Sequence, residues 1–320
     1  MKKIADWLEL FRFPNIFTIV ADIAAAMLLA KTATMLDPES IHVVWALAII
    51  LPASFCLYFA GMVLNDVWDF DEDALERPER PLPSGRISRH TAFRAGVALI
   101  VVGTLLWGVA ACWAKDPLAL LVCVGALVCA IVAYDKSLKK TLLGPPLMGV
   151  CRGLNILAAL CFYLPIASIG EEPRFLFPAV VALYIAGVTF YSRLETDEER
   201  ERFGWKALLP ALLFMAAGFG TLYYFGEKYI ASQPTAQVLV VEGWRWTILV
   251  VFLGVMIIMR ALGGYFAGAR RVRRVMKQAI FMLFFIDAAV VFAACGLVYA
   301  SAILALILPA MILGHFWYST

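Results

Sequence analysis

The sequence predicts an all-α fold: a polytopic membrane bundle of nine or ten transmembrane helices. Two observations carry that prediction. Of its 320 residues 63% are hydrophobic and only 16% charged, with a mean hydropathy of +0.84, whereas about a quarter of the residues of a soluble domain are charged. The apolar residues are also gathered into long blocks, most of which reach the ~20 residues that cross ~30 Å of hydrocarbon as a helix, a geometry that satisfies the backbone inside lipid.

In chain order the blocks run roughly 14–35, 43–64, 91–114, 117–134, 145–166, 176–192, 207–226, 246–266, 279–299 and 301–317. The last two meet at Tyr299-Ala300-Ser301 with almost no polar turn, which leaves the number of spans at nine or ten. A transmembrane barrel would show alternating ten-residue segments instead. The start, "MKKIADWLELFRFPN", leads directly into a full-length span without a small-residue cleavage site, so insertion by the first helix is expected. The seven cysteines, Cys56, Cys112, Cys123, Cys129, Cys151, Cys161 and Cys295, all lie in apolar blocks with no C-x-x-C pair and read as small buried residues.

Alternating the spans places twenty Lys and Arg residues on one face, including Arg77, Arg80, Arg86, Lys139, Arg193 and the cluster Arg270 to Lys277, against five on the other. The positive-inside rule makes the rich face, with the N-terminus, cytoplasmic in an inner or plasma membrane. The 270–277 cluster has no acids beside it and reads as a topology signal at an anionic leaflet. Residues 61–88, "GMVLNDVWDFDEDALERPERPLPSGRIS", mix both signs, which topology does not explain.

If the second helix continues past Leu64, Asp66, Asp69 and Asp73 fall at i, i+3 and i+7 on one face. They lie where the helix dipole is already negative, so a cation is required there. The arginines that follow supply one answer and Mg²⁺, which takes a few carboxylates and keeps room for phosphate oxygens, another. A second acidic run on the same face, "YSRLETDEERERFG" at 191–204, sets Glu195 and Glu199, or Asp197 and Glu201, at i, i+4. Two acidic helix ends on one face suit metal ions holding a diphosphate.

Arg152 and Asn155 sit within the apolar run of "GPPLMGVCRGLN", where a charge is expensive and faces a polar cavity or a partner. In the first span Asn15, Thr18 and Asp22 share a stripe below Arg12. Asp287 in "FFIDAAVV" and Arg260 are lone intramembrane charges, read as a buried pair, polar glue or substrate contacts.

The stretch "NDVWDFDEDALERPERPLPSGRIS" resembles the first signature of the UbiA superfamily of intramembrane prenyltransferases, N-D-x-x-D-x-x-x-D followed by R-P and R-P-L-x-S-G, with Asn65, Asp66, Asp69 and Asp73 at its positions. Tyr134 and Lys139 are similar to the family's Tyr and Lys pair, Arg152 stands where the family carries a phosphate-binding arginine, and "FRFPNIFTIVAD" is similar to its R-x-P-N start. The resemblance implies a single domain over 1–320, with nine spans around a central cavity that opens laterally to lipid. It also implies Mg²⁺ at Asn65, Asp66, Asp69, Asp73, Glu195, Asp197 and Glu199, and a diphosphate held by Arg12, Asn15, Lys139, Arg152 and Asn155. Tyr134 would steady an allylic cation with its ring face or serve as an interfacial belt residue. The expected partners are an isoprenyl diphosphate donor, a small lipophilic or aromatic acceptor and membrane lipid, and not nucleic acid.

One departure stands out: the family's second motif is usually D-x-x-x-D, whereas "SRLETDEERERFG" has one Asp and begins like a divergent UbiA-like branch of ebo-type biosynthetic clusters. Three readings therefore stay open: a prenyltransferase, a terpene cyclase or diphosphate lyase of the same fold, and a non-enzymatic transport or scaffold protein.

Overall fold

The structure, a computed structural model, describes residues 2–31, 41–232 and 243–317, whose regular elements are all helices, with no strand among the described residues. An amphipathic helix α1 (Lys2–Leu10) precedes a sharp bend, where Arg12 takes a left-handed φ of 48° and Pro14 sits in a short 3₁₀ turn. The first span, α2 (Ile16–Lys31), follows. Next come α3 (Ile41–Trp68), the short α4 (Phe70–Glu76), α5 (Arg89–Ala111), α6 (Pro117–Ala133), α7 (Gly144–Cys161) and α8 (Leu176–Ser192). The chain ends with α9 (Asp197–Phe203), α10 (Trp205–Ser232), α11 (Gly243–Ala267), α12 (Ala269–Cys295), α13 (Leu297–Ala305) and α14 (Ile307–Trp317).

Ten of the described segments are long and apolar enough to cross a membrane, the tenth being α13 and α14 together over Leu297–Gly314. Nine close a ring: α2, α3, α5, α6, α7, α8, α10, α11 and α12 each pack on the next, and α12 returns onto α2. The tenth segment runs back beside that seam, α13 along α12 and α14 against α2 and the Pro14 turn. The reversal lies at Gly296, earlier than the junction at Tyr299–Ser301 that the apolar blocks suggest. Its φ of 84° is open to glycine at no steric cost, so one residue turns the chain without a polar loop.

Apolar burial gives no driving force between helices already in lipid; close packing and buried hydrogen bonds hold them together. A Cβ on Gly149 of α7 would stand 2.1 Å from the carbonyl oxygen of Ala182 on α8, so the two backbones touch there. Tyr184 of α8 donates to the Ala279 carbonyl of α12 at 2.8 Å, and Tyr191 to the Ala261 carbonyl of α11 at 2.9 Å. Each such bond contributes about 1 kcal/mol and fixes the rotation of α8. The seven cysteines are free, and Cys112 and Cys129 are exposed rather than buried, because the helix faces that carry them point out of the bundle.

A smaller apolar cluster lies beneath the acid-rich loop, where Leu10 of α1, Val63 and Val67 of α3, Leu82 and Ile87 of the loop and Ala92 of α5 pack together. Arg86 locks the loop from above, donating to Asp6 at 2.7 Å, to Glu9 at 2.8 Å and to the Glu79 carbonyl at 2.6 Å. The bonds to Glu9, then Asp6, hold its guanidinium pKa above the ordinary arginine value. Residues 77–88 are thus an ordered strap between α1, α3 and α5.

Candidate functional site

The acidic run begins inside the last turn of α3 and crosses a one-residue break. Asp69, at φ −87° and ψ 3°, separates α3 from α4, yet Asp69 N donates to Asn65 O at 3.0 Å and Asp73 N to Asp69 O at 2.8 Å. The helical hydrogen-bond pattern therefore continues. Its i, i+3, i+7 spacing turns Asp66, Asp69 and Asp73 to one side, while Asp71 points to solvent with a side chain 84% exposed.

Each of those three carboxylates meets a cation from a different part of the chain. Arg12, from the bend before α2, reaches Asp66 at 3.3 Å. Arg80, from the strap, grips both oxygens of Asp73 at 2.9 and 2.7 Å and approaches Asp66 at 3.9 Å. Lys139, after α6, stands 2.5 Å from Asp69. Next to it Lys140 pairs with Glu72, whose hydrogen bond pushes the lysine pKa up. Asp66 and Asp73 are buried, and leaving either unpaired would cost about 3–5 kcal/mol.

Tyr134 and Lys139 lie on a π-helical turn, Tyr134–Leu138, and its cap. The extra residue in such a turn shifts the faces of a helix. It brings Asp135 inward: Asp135 is 3% exposed and accepts from Asn65 Nδ2 at 3.1 Å through one oxygen, while its Oδ2 has no donor. In the sequence Asp135 is marked only as an acid adjoining Tyr134 in "YDKSLKK". Arg193, in sequence one of the cations of the positive face, donates to the carbonyls of Lys139, at 2.9 Å, and of Thr141, tying the end of α8 to this turn.

Arg152 and Asn155 project from α7. Arg152 is bonded to Asp22 of α2, and Asn155 is 6% exposed with its side-chain oxygen lacking a donor. Arg260 donates to Gln278 at 2.7 Å and not to Asp287. In the second acidic run Glu195 is half-buried, Asp197 has a side chain 79% exposed and pairs with Arg200 at 3.0 Å, and the Glu199 side chain lies outside the described residues. Asn15 and Thr18 line a cavity of about 330 Å³ between α2, α12 and α14, with Lys277, Phe281, Phe284 and Met311.

As a donor set, the Asn65 amide and the carboxylates of Asp66, Asp69 and Asp73 are all oxygen, the class Mg²⁺ takes, and the buried Asp135 Oδ2 beside Asn65 lacks a partner. The residues fit that ion. With the cations interleaved, no three acids, His or Cys converge on one point among the described residues.

A profile of the UbiA prenyltransferase family matches residues 23–265. The digeranylgeranylglyceryl phosphate synthase of Sulfolobus acidocaldarius is 30% identical over 156 residues, 48% of this chain and 52% of that protein; the chain spans about half the length of the curated relatives it matches. Among solved structures, a digeranylgeranylglyceryl phosphate synthase superposes with a TM-score of 0.62 at 20% identity, over 93% of this chain and 100% of that one. A UbiA homologue from Archaeoglobus fulgidus bound to GPP and Mg²⁺ gives 0.59 at 13% identity, over 94% and 99%. The ring of nine spans and the acid-rich strap agree with that match in fold and in sequence, and the chain belongs to the UbiA prenyltransferase family.

Proposed function

We propose that the protein is a Mg²⁺-dependent intramembrane prenyltransferase, moving an isoprenyl group from its diphosphate to a small lipophilic or aromatic acceptor at the cytoplasmic face. The observation that carries this reading is the interleaving of Asp66, Asp69 and Asp73 with Arg12, Lys139 and Arg80. An array of alternating charge at a helix end matches a ligand that brings both signs, a divalent cation with a diphosphate. The named relatives and the structure with GPP and Mg²⁺ support it.

Asn65, Asp66, Asp69 and Asp73 would hold the ion, with Glu195, Asp197 and Glu199 as ligands of a second one. Mg²⁺ when bound supplies Lewis-acid stabilisation of charge on the departing diphosphate. Arg12, Lys139 and Arg80, no longer needed by the carboxylates, neutralise phosphate oxygens, and Asn15 donates to them. Asp135 holds the Asn65 amide with its nitrogen turned away from the acidic face. The strap, fixed by Arg86 over its apolar cluster, keeps water from the allylic carbon as the C–O bond breaks, in the preorganised surroundings that shape the fate of such a cation.

Purified protein supplied with geranyl diphosphate and candidate acceptors tests this. Diphosphate release and prenyl transfer should require Mg²⁺ and fall to background in Asp66→Ala and Asp69→Ala while both variants still insert in the membrane. Full activity in both would sink the metal assignment, and release without any acceptor would favour the cyclase or lyase reading.

A further inference from the structure

Three charged side chains from three helices meet inside the bundle, away from the acidic strap. Asp22 of α2 and Asp287 of α12 are both 0% exposed, and Arg152 of α7 is bonded to Asp22. The two carboxyls lie within hydrogen-bonding reach of each other once one of them carries a proton. Their bonding is incomplete: Asp22 Oδ1, both Asp287 oxygens and Arg152 Nη2 are buried without a partner. Buried polar groups are nearly always satisfied, so the cluster is built for something that donates to carboxylates and accepts from a guanidinium.

The 330 Å³ cavity ends above the cluster, none of whose three residues lines it. Thr18 and Phe284 line it, and Asp22 and Asp287 follow them by four and three residues, about one helical turn deeper on the same stripes. Towards the strap, Tyr58 of α3 lies within hydrogen-bonding reach of Asn15 and in the electrostatic field of both Arg12 and Arg152. Tyr58 thus stands between Arg12, at the Asp66 site, and Arg152.

Resting on the prenyl-transfer reading, we propose that Asp22, Arg152 and Asp287 receive the hydroxyl head of the acceptor and take up the proton it loses. A hydroxyl both donates and accepts, which matches the free groups, while the formal charge of −1, two acids against one arginine, disfavours an anionic head. In the transfer the hydroxyl oxygen forms the bond to C1 of the isoprenyl group, and the C1–O bond to diphosphate breaks with its electron pair leaving on the diphosphate. The O–H proton passes to the acidic pair. The charges acting on that pair are the two acids themselves and Arg152. Arg260 of α11 is turned to Gln278, Tyr184 of α8 is spent on the Ala279 carbonyl, and Lys277 is about 15 Å up α12 from Asp287.

Infrared spectra of the full-length protein in detergent test the site independently of turnover. On acidification wild type should develop the carbonyl band of a buried protonated carboxyl, moved by added farnesol, a hydroxyl probe without phosphate, and absent in Asp287→Asn. In transfer assays Asp287→Asn should lower kcat about 10²-fold or more and flatten the acidic limb of the pH profile, with geranyl diphosphate affinity within about twofold of wild type. A wild-type spectrum without such a band, or a band indifferent to farnesol, overturns the proposal even if the variant does not fold. So does wild-type transfer by a folded Asp287→Asn. Absence of turnover in the wild type with the farnesol response intact would instead count against the prenyl-transfer reading alone.

Discussion

Asn65 and Asp135 show how much one side-chain orientation decides. Because the Asn65 nitrogen donates to Asp135 at 3.1 Å, its carbonyl oxygen is left for the acidic face, where only an oxygen can meet a hard cation. Partners of this kind usually contribute about 10–100-fold to metal affinity. Asp135→Ala should therefore weaken Mg²⁺-dependent geranyl diphosphate binding by about that factor, as read by calorimetry. Asp135→Asn, whose carbonyl can still accept from Asn65, should lose much less; equal losses would mean that charge rather than orientation is what Asp135 provides. Asp66, Asp69 and Asp73 were legible in the sequence because helical spacing alone puts them on one side. Asp135 was not, since its inward turn depends on a π-helical residue that no periodicity reveals. Nor was the pairing of Arg152 with Asp22, which are 130 positions apart.

Among the elements, α7 is the one whose placement the site depends on most, since it carries Arg152 and Asn155. Its position against α8 is set at Gly149, where any Cβ meets the Ala182 carbonyl at 2.1 Å. Gly149→Ala must push the two helices apart, and overpacking of this kind costs about 1–3 kcal/mol. Thermal unfolding in detergent should show a clear loss for Gly149→Ala. In Gly125→Ala of α6, where a Cβ has nothing within 4 Å, stability should hold or rise slightly, because alanine is the better helix former by about 1 kcal/mol. A loss shared by both would show that close approach at Gly149 is not what is being measured. The extent of most spans could be read from hydropathy, since lipid imposes their length. Breaks could not: the turn at Gly296 is a backbone event inside an apolar run with no change in hydropathy to mark it, and the one-residue junction at Asp69 lies within a run of acids whose helical spacing passes through it unbroken.

At the scale of the whole molecule, the closing of nine spans into a ring by α12 on α2 brings the acidic run at Asp66, Asp69 and Asp73 and its cations Arg12, Arg80 and Lys139 to one end. The bend at Arg12, the end of α3, the turn after α6, the start of α7 and the end of α8 meet there. A linear sequence shows that end only as charge. Twenty Lys and Arg residues fall on it against five opposite, and an imbalance of that size in short loops orients a membrane chain with its rich side in the cytoplasm. The expected orientation can be read with single cysteines at exposed positions of the two ends. Glu76 lies at the end of α4 on the charged side, and Gly170 lies between α7 and α8 on the other, with nothing within 4 Å of an added Cβ. A membrane-impermeant maleimide should label Glu76→Cys in inside-out vesicles and Gly170→Cys in right-side-out ones, each judged against the wild-type chain because Cys112 and Cys129 are themselves exposed. The reverse pattern would place the acidic site on the outer face, away from cytoplasmic Mg²⁺ and isoprenyl diphosphates, and the proposed reaction would then lack its donor.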